Sequence, residues 1–161
     1  MATDVVLKDE PPNTIKPVIR MGSGIPPATS SRIEAIVHSV YKEFGTKAAL
    51  FSPIAVRMDL RKCDEFEATK KPGVYVFIDE NNRCLKVGKS QSNASKRALQ
   101  HCGTDNTSSK DGAIHMADRL NSDKTYMLVF ALQEDSQHWV LALEHYLENT
   151  ENPVIRSVRN G

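Results

Sequence analysis

The stretch Gly73-Val-Tyr-Val-Phe-Ile78, Asp79-Glu-Asn-Asn82, Arg83-Cys-Leu-Lys-Val-Gly88 decides how the chain is read. Two runs rich in β-branched and aromatic residues flank a turn-forming tetrad, the pattern of a β-hairpin. Pairing Asp79 with Asn82 across the turn gives a ladder of Ile78 to Arg83, Phe77 to Cys84 and Val76 to Leu85, and sets Tyr75 opposite Lys86. Directly opposed residues share a sheet face, with Cβ atoms about 5 Å apart. A shift of two residues keeps both on that face, and only a bulge would separate them. An ammonium beside a phenol lowers the phenol pKa, which makes Tyr75 a candidate base near neutral pH. The plain alternative is a tyrosine–lysine pair on a solvated sheet face.

Working toward the C-terminus, Asn93 caps a short helix, Ala94 to Cys102, which Gly103 ends. Arg97 and His101 stand four apart on it and so share a face. A planar guanidinium suits a phosphate oxygen, and a histidine one turn away can bind another or assist a leaving group. Arg83, Lys86, Lys89, Lys96 and Arg97 occur between Asn81 and Thr104 without an acid, a local positive field matched to a polyanion. Residues 103 to 112 read as a polar loop, and Ile114 to Leu120 as a helical turn or two. Thr125 to Leu132 is a strand apolar enough to be covered on both faces. A last helix, capped by Asp135 or Ser136, runs to about Asn149, with Pro153 beyond. On it Trp139, Val140, Leu143 and Leu147 form the apolar face. Glu144 borders that face and needs a partner there, a divalent cation or an arginine. Glu148, the rival ligand, lies further toward the polar side.

Toward the N-terminus, residues 1–29 hold Pro11, Pro12, Pro17, Pro26 and Pro27 with Gly22 and Gly24, and predict a flexible arm. Ser31-Arg-Ile-Glu34 has the form of a capping box, and Ile33, Ile36, Val37, Val40, Tyr41 and Phe44 recur at helical spacing up to Gly45. Phe51, Ile54, Val56, Met58 and Leu60 suggest an irregular edge strand, and Arg61 to Lys71 a solvated connector. The expected organisation is an arm (1–29), a helix with its connector (30–71) and an α+β domain (72–161).

Composition narrows the function classes. The 161 residues carry 21 Lys+Arg against 20 Asp+Glu, a net charge of +1, so any polyanion partner must be met by a local patch. No apolar run approaches the ~20 residues of a membrane helix, and the start lacks the basic and apolar regions of a secretory signal. Cys63, Cys84 and Cys102 are an odd, widely spaced set that fits neither disulfides nor zinc. These features predict a soluble cytoplasmic protein. Val87-Gly-Lys-Ser90 imitates the end of a phosphate-binding P-loop, but the required glycine five residues before the Gly-Lys pair is Arg83.

Taken in order, these residues resemble the GIY-YIG nuclease family over about residues 72 to 156. Gly73-Val-Tyr75 is similar to its first motif and Lys86-Val-Gly88, continued by Lys89-Ser90, to its second. Arg97 matches the helical arginine, His101 a residue one turn later in restriction-enzyme members, and Glu144 the metal-binding glutamate in a helix leading to a proline. Lys86 replaces the second tyrosine, as in some restriction endonucleases. Where the family often has an asparagine after the proline, this chain has Arg156, with Asn160 further on. The resemblance implies a three-stranded antiparallel sheet flanked by helices, and a DNA endonuclease using one Mg²⁺, or Mn²⁺ in its place. Tyr75, assisted by Lys86, would be the base, Arg97 and His101 would steady the phosphate, and Glu144 would hold the metal. Lys89, Ser90, Lys96 and Arg156 would contact double-stranded DNA, and a palindromic site would call for a homodimer. The alternative is a catalytically silent nucleic-acid-binding module of the same fold.

Overall fold

The computed structural model describes residues 2–6, 17–103 and 116–156. Six strands form one mixed sheet in the order β1-β2-β3-β6-β4-β5, with β1 at Thr3–Val6, β2 at Val18–Met21, β3 at Phe51–Arg57, β4 at Gly73–Ile78, β5 at Cys84–Ser90 and β6 at Tyr126–Leu132. Among the described strands only β2 and β3 pair in parallel, joined by helix α1, Pro27–Phe44, and a 3₁₀ segment, Gly45–Leu50. Helices α2 (Asp64–Ala68), α3 (Ala94–Gly103) and α4 (His138–Thr150) complete the α+β fold.

The expected three-stranded antiparallel sheet is therefore too small. β6, buried at every position, occupies the middle, pairing with β4 on one side and β3 on the other. β3 is an interior strand rather than an irregular edge, although Pro53 deprives it of one amide donor. Within the expected arm, Thr3–Val6 and Val18–Met21 are strands, the second burying Ile19 and Met21 while Val18 faces out. Residues 7–16 lie outside the described residues.

α1 begins four residues before Ser31, so the capping-box reading fails. Pro27 sits in the first turn, where its fixed φ suits a helix and its missing N–H costs nothing. Gly45 ends α1 at φ 57. The expected connector contains α2, where Glu65 and Phe66 are buried. Asn93 caps α3 as expected, its side-chain oxygen accepting from the Lys96 amide at 3.0 Å. Neither Asp135 nor Ser136 caps α4, which opens at Gln137 without a side-chain cap.

Two apolar layers sandwich the sheet. On one face α1 and α4 pack Ile33, Ile36, Val37, Val40, Val140, Leu143 and Leu147 against Val74, Val76, Val87, Leu128 and Phe130. On the other, α2 and α3 cover Tyr75, Phe77, Leu85, Met127 and Val129.

Candidate functional site

The hairpin turn is held by Asp79, whose carboxylate accepts from the Asn81 and Arg83 amides at 2.9 Å each. Asn82 follows at φ 62, a region asparagine tolerates better than most residues. α1 grips this tip: Thr29 Oγ1 donates to Asn82 Oδ1 at 2.9 Å, and Arg32 Nε to the Asn82 carbonyl at 3.2 Å. The other arm of Arg32 binds Glu151, just past α4, at 2.5 Å. Hairpin tip, α1 and the end of α4 are thus one clamped unit.

The ladder departs from the expected register. Ile78 pairs with Cys84 and Phe77 with Lys86, leaving Leu85 as a bulge, and from there Tyr75 pairs with Gly88. Lys86 and Tyr75 are diagonal neighbours rather than opposed, because the bulge and the longer turn shift the ladder by two. Pairing Tyr75 with Gly88 has a consequence. A Cβ at residue 88 would collide with the Tyr75 hydroxyl and ring, so the absence of a side chain lets the phenol lie across β5.

The remaining residues come in from other elements. On α3, the His101 ring stands 6.1 Å from the Tyr75 ring, centroid to centroid, and Phe77 meets Tyr75 edge-on at 5.7 Å. Arg97, exposed one turn before His101, donates to Gln100 at 3.2 Å. From α4, Glu144 meets Lys89 of β5 at 3.9 Å. Glu148 is buried as deeply as Glu144, both at 7% exposure, which corrects its expected place toward the polar side. After α4 the chain returns along the outer edge of β5. The Val154 amide donates to the Cys84 carbonyl at 3.0 Å and the Ile155 amide to the Leu85 carbonyl at 2.8 Å, making a parallel bridge beside Lys86.

Charges tie these groups together. Burial pushes the Tyr75 phenol well above its ordinary value; Arg97 opposes the shift, and Glu144 reinforces it. The cation acting on Tyr75 is thus Arg97 rather than the expected Lys86, and burial outweighs it. Lys86, at 8% exposure, has its pKa lowered by burial and by Arg97, while Glu148 and, more weakly, Glu144 hold it up. His101 is brought down to about 4 by burial, Lys86 and Arg97, and is neutral at physiological pH.

Tyr75, Lys86, Arg97, His101 and Glu144 accordingly converge from β4, β5, α3 and α4. The flanking residues divide. The Ser90 hydroxyl accepts from the Asn93 amide at 3.0 Å and shapes the turn into α3, a structural task. Lys96 is exposed beside Arg97, and Arg156 is exposed just beyond the Ile155 bridge, where its guanidinium donates to Asn152. Asn160 lies outside the described residues.

Among the described residues no group of three or more His, Cys, Asp or Glu could cage a metal ion. The donor present is a hard carboxylate, Glu144, near Lys86 and Lys89. It fits a cation such as Mg²⁺ that keeps most of its waters and shares a substrate phosphate, and does not fit a metal held by protein alone. No helix among the described residues is long and apolar enough to cross a membrane. No family model, curated protein or solved structure matches the chain.

Proposed function

We propose that the chain is a metal-dependent endonuclease that hydrolyses phosphodiester bonds in DNA, with a GIY-YIG-like site on the β4–β5 hairpin. The observation supporting this most is the meeting of a phenol, a guanidinium, a neutral imidazole, an ammonium and a carboxylate from four separate elements. A purely structural cluster has no need to bring a carboxylate into a patch of lysine and arginine beside a tyrosine. Tyr75 would act as the phenolate, its own proton first lost to solvent, and would take up the proton of the attacking water to become the neutral phenol. The Arg97 guanidinium favours that phenolate and faces the charge growing on the phosphate. His101, neutral, offers a lone pair or an N–H to a phosphate oxygen or the leaving group. Glu144 would hold Mg²⁺, which when bound offsets the carboxylate charge that opposes Tyr75 ionisation and draws charge from the phosphate. Lys89, Lys96 and Arg156 supply contacts to the DNA backbone without reading sequence.

Supercoiled plasmid incubated with the protein and Mg²⁺ or Mn²⁺ tests the reading. The expected outcome is nicking or linearisation, reduced by roughly 10³-fold or more in Glu144→Gln, with DNA binding retained or strengthened because a negative charge is gone. Absence of cleavage of DNA and RNA alongside salt-sensitive duplex binding would instead identify a silent binding module.

A further inference from the structure

The second face of the sheet carries a cavity of about 630 Å³ that the hairpin groups do not line. Small-molecule sites typically measure roughly 300–1,000 Å³. Val56 lines it, and the register from Val56 through Met127 to Phe77 sets it two strands away from β4. Gly22 and Ser23, just after β2, line it too, together with the turn between β3 and α2 and with Glu65 of α2. Hydrogen bonds hold these walls. Arg57 grips Asp59 with both arms, at 2.6 and 3.0 Å, so those two charges offset each other. Arg61 donates to the Met58 and Leu120 carbonyls and, at 2.9 Å, to the Asn121 side chain. All three acceptors are neutral, and the Arg61 charge reaches the cavity wall uncancelled. Lys62, exposed beside it, adds a second cation. Glu65 is only 7% exposed yet lines the same space, and Leu60 shows 37% of its surface there.

The cavity thus combines two cations, a buried carboxyl acceptor and the apolar surface of Val56 and Leu60. A ligand that meets all three carries an anionic group, N–H donors and a flat apolar body. Guanidinium and ammonium groups suit phosphate oxygens, a carboxylate accepts from the amino edge of a base, and base faces stack on side chains. We propose that this cavity binds a nucleoside monophosphate, its phosphate at Arg61 and Lys62 and its base edge at Glu65. The site is separate from the hairpin groups and binds its ligand whether or not they cut DNA.

Calorimetric titration of the full chain with the 5′-monophosphates of guanosine, adenosine, cytidine and uridine tests this. At least one should bind, and no binding of any of the four overturns the proposal. For the one that binds best, its nucleoside and inorganic phosphate should each bind roughly tenfold more weakly or worse, because each meets half of the cavity. Phosphate binding as tightly as the nucleotide, or leucine binding more tightly, overturns the nucleotide assignment. Lys62→Glu, a surface change, should melt like the parent and weaken the nucleotide roughly tenfold or more. Arg97→Glu should leave binding as in the parent. A nucleotide lost in Arg97→Glu and kept in Lys62→Glu belongs to the hairpin, and overturns the proposal. Cys63, half-buried in the cavity wall, gives a second readout. Saturating nucleotide should slow its alkylation by iodoacetamide several-fold, followed by mass spectrometry, and an unchanged rate overturns the placement. Glu65→Gln should weaken the nucleotide more than inorganic phosphate, and equal effects remove the base edge from Glu65. Should that variant fail to fold, Lys62→Glu and the Cys63 protection still decide.

Discussion

The two faces of the central sheet are built from the same strands and do different work. The face under α1 and α4 is aliphatic and aromatic, with Val74, Val76, Leu128 and Phe130 meeting Ile36, Val37, Leu143 and Leu147. The face under α3 alternates with it residue by residue, yet it carries the phenol of Tyr75, packs against His101 and opens toward Arg97 and Lys86. The period-two alternation of β4 is enough to separate them: Val74 and Val76 go one way, Tyr75 and Phe77 the other. Both faces bury apolar side chains, and the candidate reactive groups Tyr75 and His101 belong to the second.

Matched truncations would break that division most sharply. Phe130→Ala should lose about 3–5 kcal/mol in denaturant unfolding, as large-to-small changes do in a closed core. Tyr75→Phe should keep stability within about 1 kcal/mol while cleavage falls roughly 10²-fold or more. A Tyr75→Phe protein that cuts plasmid at the parent rate would remove the phenol from the chemistry. Next in size is Gly88→Ala, whose added methyl must displace the Tyr75 ring. The expectation is a loss of about 1–3 kcal/mol in unfolding together with lowered cleavage. A smaller effect belongs to His101. Its folded pKa of about 4 lies below the ordinary 6.5, so between those values the unfolded chain takes up a proton that the folded chain refuses. Stability should hold above pH 6.5 and decline as the pH falls toward 4, and His101→Gln should flatten that slope in pH-dependent melts.

What the sequence made legible follows from how local each signal is. The β4–β5 hairpin, α3 with its Asn93 cap, the all-apolar β6 and the body of α4 are each announced by neighbours within one element, and all four are present. β2 has only four residues, and its partner Ile54 lies more than thirty positions away. Nothing in Val18–Met21 itself distinguishes a strand from part of a proline-rich arm. The bulge at Leu85 was equally hidden, since it depends on the Asp79–Arg83 closure and on the chain returning along β5. That shift left Tyr75 and Lys86 on one face but made Arg97 the cation nearest in effect to the phenol. Helical spacing alone puts Glu148, the rival ligand, toward the polar side and does not reveal its burial. The return of residues 153–155 to the edge of β5 accompanies its burial.

The central position of β6 makes the sequence boundary near residue 72 a poor place to cut. A fragment starting there would strip β3 from one flank of β6, baring a full row of amides and carbonyls beside a wholly apolar strand. It would also take away the Thr29 and Arg32 grip on the hairpin tip. The piece that carries every candidate reactive group is therefore not an autonomous unit, and excising it should yield a sticky, self-associating polypeptide.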